Sequence, residues 1–471
     1  MTLGWNDEEV RGWGMAVRSR ARVVRPANAE GVALAFEEVR KSGGSLALRG
    51  SGCSYGDAAQ NNGGHVLDLS RMNRILSFDP IHGIARVEPG VTIRDLWRHA
   101  IQFGFWPKVV PGTMQVSIGG AAAMNIHGKN NFAVGSFGEC IRAFTLLLPD
   151  GSTARCTREQ NQDLFFAAIS GFGMFGCFLE LELEMKRVHS GRLSVSAIVA
   201  KDLGQNLELL EEMQTEADYL VSWIDLHARG AELGRGVLHR ADQMQPGADP
   251  EGVRYFDPIL QDVPTTLFGV VPKGWLWPGM WGAVKLGQVG LVNALKFKAG
   301  PSEQRKSPYL QSHCAFHFLL DYVPRWHWMT KPGGLIQFQP FVPKAHAERV
   351  LRTLVERCHE ASMVPYLGVL KRHRPDPFLM THSVDGYSMA MDFAVSTSPR
   401  KRAALWSLCQ RLSEAVLDVG GRFYYAKDAM LLASSFPRIH GAEAVSTFRA
   451  LKHRVDPRGM LQTDLSRRLL G

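Results

Sequence analysis

With 471 residues, 45% of them hydrophobic and 21% charged, the chain has an ordinary globular composition and the length for two domains, since single cores stop growing at about 250–300 residues. The net charge of +9 favours anionic partners, but it comes without an arginine-rich arm, zinc-finger spacing or aromatic RNA-binding motif, which argues against nucleic-acid recognition. Seven scattered cysteines without a CxxC pair argue against disulfides and a metal site, the first thirty residues carry charges throughout and lack an apolar core of signal-peptide length, and no stretch reaches 18 apolar residues, so a reduced, cytoplasmic chain is expected.

Residues 21–50 predict strand, helix and strand: ARVVRP is short and β-branched, ANAEGVALAFEEVRKSGG has helical spacing with a glycine stop, and SLALRG reads as a buried strand. RGSGCSYGD follows. Its Gly50, Gly52 and Gly56 spell GxGxxxG, and DAAQNNGG and the strand HVLDLSRM come next where a Rossmann pyrophosphate site needs a helix, so that reading is disfavoured. Such a loop still lets the backbone approach a ligand closely and turn several N–H groups into one concavity.

GIARVEPG predicts a strand and VTIRDLWRHAIQFGF a helix packed by one face. A second glycine-rich stretch spans 109–138. It is nearly all small residues from Ser117 to Met124, and Gly112, Gly119, Gly120 and Gly128 favour contact with a ligand facing the first loop. Two strands around Asp150-Gly151, a helix in DLFFAAIS, a third glycine loop at Gly171, Gly173 and Gly176, and an alternating strand close this unit near residue 190.

In the second unit, strand character is found in SGRLSVSAIVAKD, ADYLVSWIDLHARG, RGVLHRAD, HCAFHFLLDYV, GGLIQFQPFVP, YLGVLKRH and GYSMAMDFAV. AHAERVLRTLVERCHE and PRKRAALWSLCQRLSEAVLDVG are amphipathic helices, so an antiparallel sheet with helices on one side is expected. Residues 270–300 hold Trp275, Trp277 and Trp281 among four lysines. That composition suits a membrane interface or a lipid-tailed substrate, and equally a loop that buries its tryptophans in its own domain.

The order RGxGxSYGD, PGTxxVxxGGAxxxxIHGKN, GSFG and GxxGxxxxxxxE resembles the FAD-binding domain of the vanillyl-alcohol oxidase flavoprotein superfamily. GWG at 12–14, QFQPFVP at 337–343, RFYYAKDA at 422–429 and HRVDPRGMLQTDLSRRL at 453–469 extend the likeness along nearly the whole chain. They are most similar to a branch that oxidises polyprenyl-phosphate-linked pentoses. The resemblance implies an α+β fold: a two-subdomain FAD-binding domain at 1–190, an antiparallel-sheet substrate domain at 191–420, and a C-terminal segment, 421–471, that returns to the first.

By that likeness Arg49, Gly50, Ser51, Gly52, Cys53, Ser54, Tyr55 and Gly56 wrap the FAD pyrophosphate, while Gly112, Ser117, Gly119, Gly120, Asn125 and His127 follow the ribityl chain and flavin ring. Phe178 falls on the adenosine side and Tyr424 near the ring. Cys53 stands where many members carry a flavin-linked histidine, so non-covalent FAD is expected. Lys427, His127 and Tyr55 are the candidate catalytic residues, a cation at Lys427 suiting negative charge on reduced flavin or an alkoxide. Gln339, Lys371, Lys129 and His317 are the candidate substrate contacts. Ala390, Ser388 and His317 replace a cysteine, an asparagine and a tyrosine of the branch, so the pocket lining differs.

The implied reaction is oxidation of a sugar secondary alcohol, ribose 2′-OH to ketone on a polyprenyl phosphate, as the first half of an epimerisation that a separate NAD(P)H-dependent reductase completes. An aldonolactone or alditol oxidase, a sterol-type reductase, and a non-catalytic flavin or lipid-phosphate binding protein stay open as alternatives. Residues 270–300 carry the candidate peripheral membrane contact.

Overall fold

The computed structural model describes residues 3–263, 266–267 and 271–471. In Arg18–Val24 the arginines at 18, 20 and 22 face solvent while Ser19, Ala21 and Val23 are buried, the period of two of a strand with one wet face. This strand pairs antiparallel with Asn6–Arg11 and parallel with His65–Asp68, which also holds Leu46–Arg49 in parallel. The intervening helix, Ala29–Ser42, is capped by the Asn28 side chain and stopped by Gly43 at φ 67, and it buries Val32, Ala35, Phe36 and Val39. The strand, helix and strand expected for residues 21–50 are thus present, and the glycine-rich loop at 50–57 leaves the end of Leu46–Arg49.

The second sheet is antiparallel, in the order Ile75–Asp79, Ile84–Val87, Cys177–Arg187, Ile141–Leu147, Thr153–Thr157, with Phe105–Pro107 on a free stretch of Cys177–Arg187. Helix Ile93–Ala100 starts at a capping box between Thr92 and Asp95 and buries Ile93, Leu96, Trp97 and Ala100. The second glycine-rich stretch contains the short helix Ile118–Ala123.

The third sheet is a nine-stranded antiparallel wall. Its order is Tyr309–Ser312, Arg192–Ala200, Gly236–Gln243, Tyr219–Ile224, Leu367–His373, Gly386–Ala394, Pro340–Pro343, Arg422–Phe423, and Leu335–Phe338 pairs with Gly386–Ala394. Register places Val221 opposite His239, Trp223 opposite both Val237 and Val369, Ala390 opposite Val369, and Lys371 opposite Ser388. Residues directly opposite share a face, so these side chains form one surface. On the other, Leu220, Leu238, Leu370, Met389 and Met391 join the main core with Leu207, Leu351, Leu354 and Leu412 of helices Leu203–Met213, Ala347–Glu360 and Pro399–Leu417.

Two expectations are corrected here. The stretch 313–323 is not a strand: Ser312 caps a helix, His313–His317, followed by a 3-10 turn at Leu319–Asp321. Nor do helices cover one face alone. Residues 271–300, Val270 lying outside the described residues, contain the helix Leu276–Lys285 and most of Val289–Arg305, and the latter lies on the opposite face through Phe297, packed with Ala197, Trp223, Val237 and Leu367. Gly300 makes the close approach possible, because a Cβ there would stand 2.9 Å from Val237 Cγ2. The C-terminal residues return to the first sheet, with Leu46 N–H bonded to Met460 C=O at 2.8 Å.

Candidate active site

The two glycine-rich loops meet at Ser117. Its Oγ accepts the Ser51 N–H at 3.2 Å, and a Cβ on Gly50 would stand 2.0 Å from the same oxygen, so only glycine lets the loops close on each other. Gly52 takes φ +70, the left-handed region that glycine enters without a steric cost. Among the described residues, the N–H groups of Gly50, Gly52, Cys53 and Ser54 donate to no protein acceptor, and all four residues line a cavity of about 560 Å³. Free backbone donors converging on a concavity are the chemistry of an anion cradle. Gly119 presses on Pro89, where a Cβ would come within 2.7 Å, and this seats the second loop beside the first.

The cavity is lined by Leu48, Phe172, Gly173 and Phe178, by both loops, and by Trp223, His239 and Lys296 on the face of the large sheet that helix Val289–Arg305 covers. Its volume of about 560 Å³ and its string of unpaired N–H groups fit a dinucleotide. Arg49, Gly50, Ser51, Gly52, Cys53, Ser54, Gly112, Ser117, Gly119, Gly120, His127, Phe178 and Tyr424 of the expected cofactor set line it. Arg49 turns its guanidinium onto the carbonyls of Arg11 and Ala59, at 3.1 and 3.5 Å. Burial pushes the Cys53 thiol up to about 11, so it stands in the cavity wall as a protonated thiol.

Three expected residues lie behind the wall. Tyr55 is buried outside the lining, its ring tilted against that of Trp13 with centroids 4.7 Å apart, and its N–H bonds the Ala426 carbonyl at 2.8 Å. Gly56 abuts the Asp428 carbonyl, where a Cβ would stand 1.8 Å away. Asn125, at φ 46, accepts the Gly138 N–H on its side-chain oxygen at 2.8 Å and donates its amide N–H to Asp376, bracing the second loop.

The wall opposite the loops gathers the polar candidates. Lys427 lies in the turn after Tyr424, and its Nζ stands 3.4 Å from the centre of the Tyr55 ring. Burial holds its pKa well below the usual lysine range, against the pull of Asp392. Asp428, in contrast, pairs with Arg468 at 2.9 Å and accepts the Met430 and Leu431 N–H groups, so it does not neutralise Lys427. His127 Nε2 lies 3.0 Å from the Gln339 amide, within a cage of Phe341, His373, His382 and Tyr424. Burial and the nearby Lys371 keep this imidazole neutral, and its Nδ1 has no partner among the described residues.

Lys371 lines the same space, its pKa pushed down to about 8 by burial. Lys129 donates to the Phe316 carbonyl and sits 4.1 Å over that residue's ring. His317 also reaches the cavity, stacked on Trp106 and edge-on to Tyr219, with both ring nitrogens unpartnered among the described residues and the ring neutral through burial.

Sequence reading passed over several members of this wall. Gln337 lines the cavity two residues before Gln339, and its amide binds the buried Asp392 carboxylate at 2.5 Å. Burial raises the pKa of Asp392. A carboxylate inside the apolar strand SMAMDF was the available signal. Trp223 and His239 follow from alternation, but only once the register is known, and Lys296 comes from a segment read without regular structure.

Residues 20–157 match the family described as FAD binding domain. The chain is 29% identical to decaprenylphosphoryl-β-D-ribose oxidase of Mycolicibacterium smegmatis over 98% of this chain and 97% of that protein. It is 29% identical to an uncharacterised Streptomyces coelicolor protein over 80% of this chain and 100% of that one. It is 28% identical to D-lactate dehydrogenase of Anaerostipes hadrus over 31% of each chain. With a cavity whose free N–H groups fit a dinucleotide and relatives of these kinds, the chain is an FAD-dependent oxidoreductase whose FAD-binding domain is of the vanillyl-alcohol oxidase type.

Proposed function

We propose that the chain oxidises a secondary alcohol of a polyprenyl-phosphate-linked sugar, the ribose 2′-OH to a ketone. In this reading residues 1–190 and 421–471 hold FAD, residues 191–420 hold the substrate, and the ketone passes to a separate NAD(P)H-dependent reductase. The observation that carries it is the concentration of Lys427, Lys371, His127 and Gln339 at the inner end of one cavity whose other wall is the glycine-loop cradle. Similarity to a decaprenylphosphoryl-β-D-ribose oxidase over 98% of the chain supports the substrate class.

Bound FAD supplies a hydride acceptor. The N–H groups of Gly50, Gly52, Cys53 and Ser54 would hold its pyrophosphate, and the absence of side chains at Gly119 and Gly120 would let the second loop approach it closely. Gln339 orients His127: its side-chain nitrogen lies 3.0 Å from His127 Nε2, and with the amide turned by half a rotation its oxygen holds a proton on Nε2, so that the neutral ring takes the hydroxyl proton at Nδ1. Lys427 stabilises negative charge as it develops. Tyr55 serves as the platform under Lys427. The flavin is held without a covalent bond, because Cys53 is kept as a thiol; acid precipitation should release all the yellow colour into the supernatant, and colour kept in the pellet would contradict this.

Anaerobic titration with a panel of substrates tests the reading. A prenyl-phosphoryl pentose should bleach the flavin absorbance, whereas bleaching by aldonolactones or alditols alone would replace this reading with that of a lactone or alditol oxidase.

Peripheral membrane contact through residues 271–300 belongs to the same proposal. Trp275 and Leu286 are 78% and 74% exposed, with Leu291 and Leu295 also exposed beside Lys298, and no helix among the described residues is long and apolar enough to cross a membrane. Trp275→Asp with Leu291→Asp should reduce cosedimentation with phosphatidylglycerol vesicles; unchanged binding removes the contact from the account.

A further inference from the structure

The outer end of the cavity holds a cation that the sugar chemistry does not use. Lys296 projects from helix Val289–Arg305 toward the sheet face that this helix covers, its Nζ 4.2 Å from the centre of the Trp223 ring. It lines the cavity and is solvent-accessible, so it stands at the opening. No carboxylate among the described residues lies within ion-pair distance of it. Glu303, one helical stretch further on, is engaged by His239 at 2.9 Å and by the Tyr309 hydroxyl at 3.0 Å.

Register sets the distance from this cation to the inner site. Trp223 is opposite Val369, and Lys371 follows Val369 by two residues on the same face. With about 3.4 Å per residue and about 4.8 Å between strands, Trp223 and Lys371 are roughly 8 Å apart along the sheet. Lysine, with a compact charge on a flexible stem, tolerates the varied geometry of a phosphodiester oxygen. The apolar floor of Trp223, Leu367 and Val369 lies beneath.

We infer that Lys296, over Trp223, is a substrate-specificity residue that binds the phosphodiester of a substrate whose sugar reaches Lys371, His127 and Lys427. This rests on the sugar-oxidase reading and adds to it the group that distinguishes a phosphate-linked sugar from a free one. It also makes helix Val289–Arg305 a wall of the binding site.

The test uses the FAD-loaded enzyme and two probes, geranyl phosphate and geraniol, followed by flavin difference spectra. Lys296→Met should weaken geranyl phosphate binding about tenfold or more, as expected for loss of a charged hydrogen bond, and leave geraniol unchanged. Lys296→Arg should restore most of the loss. Equal geranyl phosphate affinity in wild type and Lys296→Met, or an equal loss for geraniol, overturns the inference. Flavin reduction by uncharged methyl β-D-ribofuranoside tests the sugar reading separately: it should proceed at the same rate in both proteins, whereas no reduction in either would count against that reading and a selective loss in Lys296→Met against the phosphate role.

Discussion

Among the described residues no carboxylate is in direct contact with Lys427: its neighbour Asp428 is committed to Arg468, Met430 and Leu431, and the Lys427 Nζ rests on the Tyr55 ring. A cation held this way is free to respond to charge that forms during the reaction. Lys427→Met should keep FAD bound yet slow flavin reduction by about 10²–10³-fold, the range for losing one preorganised charge; reduction at the wild-type rate would remove Lys427 from the mechanism. The depressed pKa gives this a pH signature. The protonated form persists only below the folded pKa, so the reduction rate should fall as pH rises, starting well under the usual lysine range. His127, with its pKa far below 6.5, should add no acid limb near neutrality. Lys427→Arg keeps its charge across this range and should remove the part of the alkaline limb that Lys427 sets, leaving only that of Lys371, whose pKa of about 8 lies in the same window; stopped-flow reduction traces from about pH 6 to 10 read the difference. The sequence showed Lys427, His127 and Gln339 because each stands in a distinctive motif. It did not show that Tyr55 points away from the cavity, since the letters SYGD say nothing of a side chain turned onto Trp13.

At the scale of elements, the glycine loops were legible and the helix over the sheet was not. Glycines at 50, 52 and 119 are where close approach to Ser117, a left-handed turn and contact with Pro89 leave no room for a Cβ, so function and composition coincide. Val289–Arg305 hides its helix because Gly290, Gly300 and Pro301 interrupt it, and Gly300 serves packing on Val237 and Val199. The apolar run at 313–323 allowed strand or helix, and the Ser312 cap and the tie of Asp321 to Thr113 and Met114 select the compact turn. That tie also fixes the second glycine loop, since Leu320 N–H reaches the Gly112 carbonyl at 3.1 Å.

The molecule as a whole encloses its cavity between units distant in sequence. Arg468 binds Asp57 through two hydrogen bonds, at 2.8 and 2.9 Å, and Asp428 at 2.9 Å, joining the C-terminal helix Asp464–Leu470 to the end of the first loop and to the Lys427 turn. Arg468→Ala leaves two buried carboxylates unpaired and should cost about 3–5 kcal/mol of stability, with weaker FAD retention; a thermal melt and flavin-release assay would detect both. Alternating strands revealed most of the large sheet, but its order and the pairing of Arg422–Phe423 with Pro340–Pro343 depend on contacts that no local pattern records.

The central claim, that this cavity oxidises a sugar carbinol at the expense of FAD, is tested most directly by one anaerobic turnover with prenyl-phosphoryl ribose carrying deuterium at C2. The account predicts loss of the oxidised-flavin absorbance with formation of the 2-keto sugar, at a slower rate than with the protiated compound. A flavin that stays oxidised with both compounds would contradict it.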